Sequence, residues 1–274
     1  MNPSPNFLII DAQKSGTTSL YGYLKQHPDI LMSNKKETEF FAYDKFYFKG
    51  FNYYETFFSG YKGQKCVGEA STDYSNYVGL EKTIKRIYDF NKNMKLIYVI
   101  RNPIARAYSA YFWRKRQVFE TLEFEKSLEL EESRKNTTHL MDPFSYKRMG
   151  LYFKIISKYL KYYNQKNLHV VLFDDLITSP AVTCNKIFDF LDIDEFSVKP
   201  LEKKQQNPVG LPKSKHIQRI LGQPNKLTNT VGYMIEHSLG EHTKRRLYHF
   251  VIDRNIQEIN YPPMREATFE YLLK

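Results

Sequence analysis

The segment "FLIIDAQKSGTTSLYGYL", residues 7–24, constrains the fold of this chain more than any other stretch. An apolar run of strand length ends there in a short polar loop, and a helical pattern follows at once. The loop holds one lysine, one glycine and several hydroxyl residues, which is typical of a phosphate-binding turn between a strand and a helix. In the Walker pattern GxxxxGK[ST] the lysine follows the second glycine. Here Lys14 precedes Gly16, so the sequence indicates an anion-binding loop of another kind.

Strand-like runs alternate with helical patterns along much of the chain. Apolar runs of strand length occupy residues 7–10, 95–100 and 168–173, and residues 65–72 are predicted to contain a brief strand. Helical patterns follow the first loop, begin again near residue 104, and occupy residues 122–135, 151–163 and 185–193. Residues 34–58 are aromatic and charged without a clean period, which predicts loop and short helix, and residues from about 197 predict loop until helix resumes near His216. The alternation predicts an α/β fold, with a P-loop-like, mainly parallel sheet flanked by helices, and residues 1–274 as a single domain.

Composition bounds the class of protein. With 42% hydrophobic residues, the 274-residue chain can bury a sizeable core. Cys66 and Cys184 form no metal-binding or disulfide pattern, which favours a reducing compartment. The first ten residues lack the charged start and apolar run of a signal peptide, and no run approaches the length of a membrane span. We therefore expect a soluble, cytoplasmic protein. Its net charge of +11 fits either an ordinary basic surface or a site for polyanions.

The first loop has the chemistry that an anion requires. A loop that feeds a helix N-terminus presents unpaired backbone N–H groups and the positive end of the helix dipole. Gly16 permits close backbone approach, and Lys14 adds a mobile positive charge. Four further hydroxyl donors are Ser15, Thr17, Thr18 and Ser19. The alternative is an ordinary strand-to-helix turn in which a hydroxyl caps the helix.

A second basic motif follows the run "KLIYVI". An Mg-NTP site needs a carboxylate at the end of a neighbouring strand, but this run ends in Arg101. The segment "RNPIARAYSAYF" then offers Arg101, Arg106 and Ser109 as anion ligands near a second helix start. The alternative for Arg101 is a structural salt bridge. Two anion sites at neighbouring strand ends predict a nucleotide with phosphates at both its 5′ and its 3′ ends.

Together, "AQKSGTTSLYGYLKQHPDI" and "LIYVIRNPIARAYSAYF" resemble the 5′-phosphosulfate loop and the 3′-phosphate motif of sulfotransferases that use 3′-phosphoadenosine 5′-phosphosulfate (PAPS). The similarity is to the branch that includes heparan sulfate sulfotransferase domains and many bacterial enzymes. It continues through "KKETEFF", "VGEASTDY", "VVLFDDL" and "NPVGLPKS". The resemblance implies the sulfotransferase fold and transfer of a sulfuryl group from PAPS to a hydroxyl or amine, with a small molecule or a glycan as the acceptor. It implies no metal and no nucleic-acid partner.

The resemblance also implies roles for the residues that match the family's donor site. Lys14 matches a lysine that contacts the sulfate-bearing phosphate, and residues 15–19 match the rest of the 5′ loop. Arg101 and Ser109 match the residues that hold the 3′-phosphate. Lys213 matches a basic residue in a loop that closes over PAPS.

Three further residues match the acceptor side of the family's site. Glu69, in "VGEAST", matches the general base that removes the acceptor proton; by chemistry alone it would be a structural carboxylate. Lys36 matches a lysine near the transferred sulfuryl group, and Glu39 occupies a position toward the acceptor.

The chain departs from the family pattern at two places. Asp11 stands where the family often has glycine. The second is the C-terminal end: the family usually continues beyond residue 274 with a further helical stretch, so we expect either that this helix is dispensable here or that the chain is a shortened form.

Two other functions remain open at this stage. A P-loop small-molecule kinase would bind Mg-ATP, and a basic nucleic-acid-binding protein would use Tyr- and Lys-rich stretches such as "SKYLKYYNQK". The sequence defines neither the acceptor nor the oligomeric state.

Overall fold

A computed structural model describes residues 4–10, 12–134, 144–201, 210–222, 238, 250–251 and 254–273. Its centre is a parallel five-stranded sheet with the order β2-β3-β1-β4-β5. The strands are β1 (Phe7–Ile9), β2 (Ile30–Met32), β3 (Cys66–Ala70), β4 (Lys95–Ile100) and β5 (Leu168–Leu172). The register pairs Leu8 with Glu69 of β3 and with Leu96 of β4. Because the strands are parallel, their carboxyl ends meet at one edge of the sheet.

Helices and short helical turns follow the strands. They are α1 (Thr17–Leu24), α2 (Asp44–Tyr47), α3 (Phe51–Glu55), α4 (Leu80–Phe90), α5 (Pro103–Arg116), α6 (Phe124–Glu129), α7 (Tyr152–Tyr159), α8 (Phe173–Thr178) and α9 (Pro180–Leu191). These elements confirm the predicted α/β fold and its parallel sheet. The short helices α2 and α3 also confirm the prediction for residues 34–58. Strand β2 was missed, since three residues after Pro28 are too short to show a period.

Strand β1 is buried on both faces of the sheet. Phe7 and Ile9 pack into a cluster with Leu20 of α1 and Phe188 of α9. Leu8 packs on the opposite side, in a cluster with the aromatic rings of the segment between β2 and β3. A central parallel strand reads as a continuous apolar run for this reason, because neither side meets water. The loop after β1 is therefore held by the rigid centre of the fold.

The chain divides into two compact units. The first comprises residues 1–107 and 128–207, and holds the five-stranded sheet. The second comprises residues 108–127 and 208–274. This division into units does not test the prediction that residues 1–274 form a single domain, which stays a prediction.

In the second unit, β6 (Gly210–Pro212) pairs antiparallel with β7 (Ile256–Glu258). Helix α10 (Lys215–Gly222) begins where the sequence predicts, and α11 (Glu266–Leu273) lies near the C-terminal end. The ring of Phe112 stacks on Tyr261 with a centroid separation of 4.2 Å. The hydroxyl of Tyr108 donates to the carbonyl of Pro262 at 3.0 Å, which further ties the two segments of this unit together.

No helix in the described ranges is both long enough and apolar enough to cross a membrane.

Candidate active site

The loop between β1 and α1 is a tight turn whose backbone requires glycine. Gly16 has φ of 94°, and Lys14 also lies in the left-handed region with φ of 73°. A Cβ atom at Gly16 would lie 2.7 Å from Cδ2 of Phe173. Both the backbone angle and the packing therefore exclude a side chain at this position.

The helix that follows has the free N-terminus that the sequence predicts. Gly16 is the N-cap of α1, and no side chain caps the helix there. This is not the hydroxyl-capped turn that was the alternative. The Ser15 side chain is fully buried, and its hydroxyl has no hydrogen-bond partner among the described residues. A buried hydroxyl without a partner is costly unless a ligand pairs with it, so this loop fits an anionic group.

Further donors of the predicted loop lie within the same turn. Thr17 is buried at the start of α1, while Lys14, Thr18 and Ser19 are partly exposed. Lys14 is therefore partly accessible, one residue before the buried serine. Asp11, where the chain departs from the family pattern, lies outside the described residues.

Arg101 joins the end of β4 to this loop. Its guanidinium donates to the Lys14 carbonyl at 3.1 Å and lies 4.4 Å from the ring centroid of Phe173. The Tyr152 hydroxyl donates to the Arg101 carbonyl at 2.8 Å, which fixes the backbone. The structure thus brings two predicted cations, Lys14 and Arg101, to one edge of the sheet. Phe173, which contacts both Gly16 and Arg101, was not predicted from the sequence.

The remaining predicted donor-site residues belong to other elements of the chain. Ser109 is buried within α5, and Lys213 is exposed just after β6; both belong to the second unit. Neither position is described relative to the loop, so their predicted contacts with the nucleotide stay predictions. Arg106 lies inside the first unit, where its guanidinium donates to the Tyr146 carbonyl and burial lowers its pKa.

Glu69, the predicted base, lies within β3 and is completely buried. Its carboxylate accepts hydrogen bonds from the Tyr54 hydroxyl at 3.1 Å, from the Ser71 hydroxyl at 2.7 Å and from the Tyr74 hydroxyl. Burial raises the pKa of Glu69, and the hydroxyl donors around it act in the opposite direction. The structure therefore supplies a carboxylate enclosed by hydroxyl groups.

Lys36 and Glu37 form a second charged group beside β3. The Lys36 ammonium pairs with the Glu37 carboxylate, and the two side chains are 22% and 30% exposed. The other Glu37 oxygen accepts from the backbone N–H of Thr72 at 2.7 Å. The Glu37 N–H donates to the carbonyl of Ala70 at 2.9 Å, which fixes this residue next to the end of the strand. Sequence analysis did not single out Glu37, although it directly follows the predicted Lys36.

Glu39 lies in the same turn. Its N–H donates to the Ser71 hydroxyl at 3.0 Å, and that hydroxyl in turn donates to Glu69. Burial, with the charges of Asp73 and Glu37, raises the pKa of Glu39 to about 7, while Lys35 and Lys45 act against this shift. Residues 36–39 thus place two acids, and a lysine that forms an ion pair with one of them, beside the carboxyl end of β3.

The described part of the chain contains no group of three His, Cys, Asp or Glu residues that could hold a metal ion.

Comparison with known proteins agrees with these features. The sequence profile of the sulfotransferase domain family matches residues 4–209. Heparan sulfate glucosamine 3-O-sulfotransferase 5 of Homo sapiens is 31% identical over 197 residues, which are 69% of this chain and 54% of that protein. The membrane-associated sulfotransferase kil1 of Dictyostelium discoideum is 26% identical over 305 residues, covering 81% of this chain and 64% of that protein. The chain therefore spans between half and two thirds of the length of these curated relatives.

One solved structure gives a comparison of the fold. The crystal structure of a sulfotransferase from Alicyclobacillus acidocaldarius superposes with a TM-score of 0.65 at 32% sequence identity. The match covers 74% of this chain and 88% of that one.

Proposed function

The chain belongs to the sulfotransferase family, and from that membership we propose that it transfers a sulfuryl group from PAPS to a hydroxyl or an amine of an acceptor. The observation that carries the proposal is the loop after β1. There the buried Ser15 hydroxyl lacks a partner among the described residues, no side chain caps α1 at Gly16, and Lys14 supplies charge. PAPS, when bound, supplies the sulfuryl group and leaves as 3′,5′-ADP.

Lys14 has a direct role in this reaction. As the bond between sulfur and the bridging phosphate oxygen breaks, negative charge grows on that oxygen. A cation at the loop stabilises this charge in the transition state. Arg101, whose guanidinium is held against the Lys14 carbonyl, keeps a second positive charge at the same edge of the sheet. We propose that it binds the 3′-phosphate, with Ser109 as its partner and Lys213 closing over the nucleotide.

The acceptor oxygen or nitrogen forms the new bond to sulfur and must give up a proton, which requires a base within hydrogen-bond reach. The predicted base is Glu69. Because Glu69 is enclosed by Tyr54, Ser71 and Tyr74, it can receive that proton only through a hydroxyl such as that of Ser71. Glu37 is partly exposed beside Lys36 and could receive it directly. We propose that the acceptor proton goes to one of these two carboxylates, and the geometry favours direct transfer to Glu37.

A carbohydrate is our proposed acceptor. The support is the similarity to proteins named for heparan sulfate, together with the basic charge of +11. A cytoplasmic location stays a prediction from the sequence.

The proposal is tested by incubating the purified protein with radiolabelled PAPS and a panel of sugars, lipids and phenols. We expect labelled product and release of 3′,5′-ADP. Calorimetry with 3′,5′-ADP and with Mg-ATP distinguishes the alternatives. Tight binding of Mg-ATP without binding of 3′,5′-ADP would indicate a kinase. Salt-sensitive binding to generic DNA or RNA, with no binding of either nucleotide, would indicate a nucleic-acid-binding protein.

A further inference from the structure

Two phenylalanines protrude at the turn between α2 and α3. Phe48 is 75% exposed and Phe51 is 45% exposed. We define residues 44–51 as the aromatic tip. Gly50, just before Phe51, turns the chain with φ of 81°. Exposing large apolar side chains next to one another is unfavourable in water, so a pair at a turn suggests a surface that leaves water on binding.

The aromatic tip has a firm base. The Phe51 ring lies 5.2 Å from that of Phe90 and 5.9 Å from that of Phe40, centroid to centroid. The Gly50 N–H donates to the Tyr47 carbonyl at 3.0 Å. The Phe51 ring and the backbone of the turn are therefore held by packed structure, which reduces the entropy lost on binding.

The same segment carries positive charge. Lys45 and Lys49 are exposed on the aromatic tip, with their ammonium groups 4.7 Å from the Phe46 ring and 4.3 Å from the Tyr53 ring. The tip's acid, Asp44, is already paired with Lys82 at 2.6 Å and with Arg86. The tip thus combines exposed apolar rings with cations that Asp44 does not neutralise.

We propose that the aromatic tip binds the surface of an anionic lipid bilayer. Phe48 and Phe51 enter the boundary between headgroups and acyl chains, and Lys45 and Lys49 face the lipid phosphates. A soluble polyanion would engage the lysines and leave the phenyl rings in water, whereas a bilayer accommodates both. This binding is independent of sulfuryl transfer.

The test is flotation of the full chain with vesicles of phosphatidylcholine, with and without a minor share of phosphatidylglycerol. We expect binding only to the anionic vesicles. The variant Lys45→Glu/Lys49→Glu should bind at least about 25-fold more weakly, since each lysine near such a surface contributes roughly fivefold. Phe48→Ser/Phe51→Ser should bind about tenfold more weakly, because it removes most of the apolar area that enters the bilayer.

Phe153→Ser is the matched control, because Phe153 is 82% exposed on α7, outside the tip. It should float like the original chain, and melting curves of all variants should show that each is folded. Equal binding to both kinds of vesicle, no binding to either, or an equal loss with Phe153→Ser would overturn the proposal. A soluble polyanion is the alternative ligand. It would be indicated if Phe48→Ser/Phe51→Ser still bound heparin and none of the variants changed flotation, and this result would also overturn the proposal.

Discussion

The loop after β1 and the turn beside β3 lie at the same edge of the sheet but differ in what they leave unsatisfied. In the loop, the buried Ser15 hydroxyl has no partner within the described ranges, and the helix N-terminus has no side-chain cap. In the turn, the carboxylates of Glu37 and Glu69 are already bonded to neighbouring groups. The loop is built to receive an anion, while the turn is built to hold its own charges in fixed positions. The contrast suggests that donor binding and proton removal respond differently to mutation.

The strongest test of this contrast replaces each carboxylate by its amide. We expect Glu37→Gln to lower kcat about 10²- to 10⁴-fold, the range for loss of a general base, with affinity for 3′,5′-ADP unchanged. Glu69→Gln should instead destabilise the fold, because an amide cannot accept from all the surrounding hydroxyls. The readouts are single-turnover sulfuryl transfer, calorimetry and thermal unfolding. If Glu69→Gln folds normally and loses turnover while Glu37→Gln remains active, the base is Glu69.

Lys14→Ala should have the next largest effect. We expect a loss of about 10²- to 10³-fold in kcat, since a group that stabilises the leaving oxygen acts mainly in the transition state. Lys25→Ala is the matched control, because Lys25 is an exposed lysine just after α1. Turnover and PAPS affinity are measured for both variants. If the two substitutions had equal effects on turnover, Lys14 would have no specific role in the reaction.

Gly16→Ala tests the backbone of the loop. The added Cβ meets the Phe173 ring, and the left-handed φ strains any other residue, so we expect destabilisation of about 1–3 kcal/mol. Binding of 3′,5′-ADP should weaken together with stability. Gly63→Ala provides the comparison, because Gly63 has φ of 96° but nothing within 4 Å of an added Cβ. Urea unfolding of both variants separates the strain of the backbone from the clash with Phe173.

Glu39 gives the smallest expected effect, through pH. Its pKa of about 7 lies above the ordinary value of 4.5, so the folded state favours the protonated form. The stability that this provides is complete below pH 4.5 and is lost as the pH rises through about 7. Glu39→Gln should therefore gain about 1 kcal/mol relative to the original chain between pH 5 and pH 8, after allowance for partial solvent exposure. Urea unfolding at pH 5 and pH 8 measures the free energy of unfolding of both chains. If the variant and the original chain differ by the same amount at both pH values, the raised pKa of Glu39 is contradicted.

The donor loop was predictable because its information is local. A strand, a glycine turn and a helix start follow one another within residues 7–24, and Lys14, Ser15 and Gly16 need no distant partner to be recognised. The long apolar runs likewise predicted β1, β4 and β5, since buried parallel strands carry a continuous signal.

The turn beside β3 was less predictable because its contacts join distant segments. Glu69 meets Tyr54 from a stretch predicted as loop and short helix, and Glu37 meets Thr72. No period or spacing in the sequence indicates that Glu69 is enclosed or that Glu37 is partly exposed. The same holds for Phe173, whose contact with Gly16 spans most of the first unit.

That contact has a consequence for assembly of the protein. The Phe173 ring lies against Gly16 and under the Arg101 guanidinium, yet it enters the structure only after β5, late in the chain. The donor loop therefore reaches its final shape only when α8 has docked, and a nascent chain that ends before residue 173 should be unable to bind the nucleotide. Nucleotide binding would therefore indicate that all five strands of the sheet have assembled. A nucleotide at one hundred times its Kd would stabilise that completed state by about 2.7 kcal/mol.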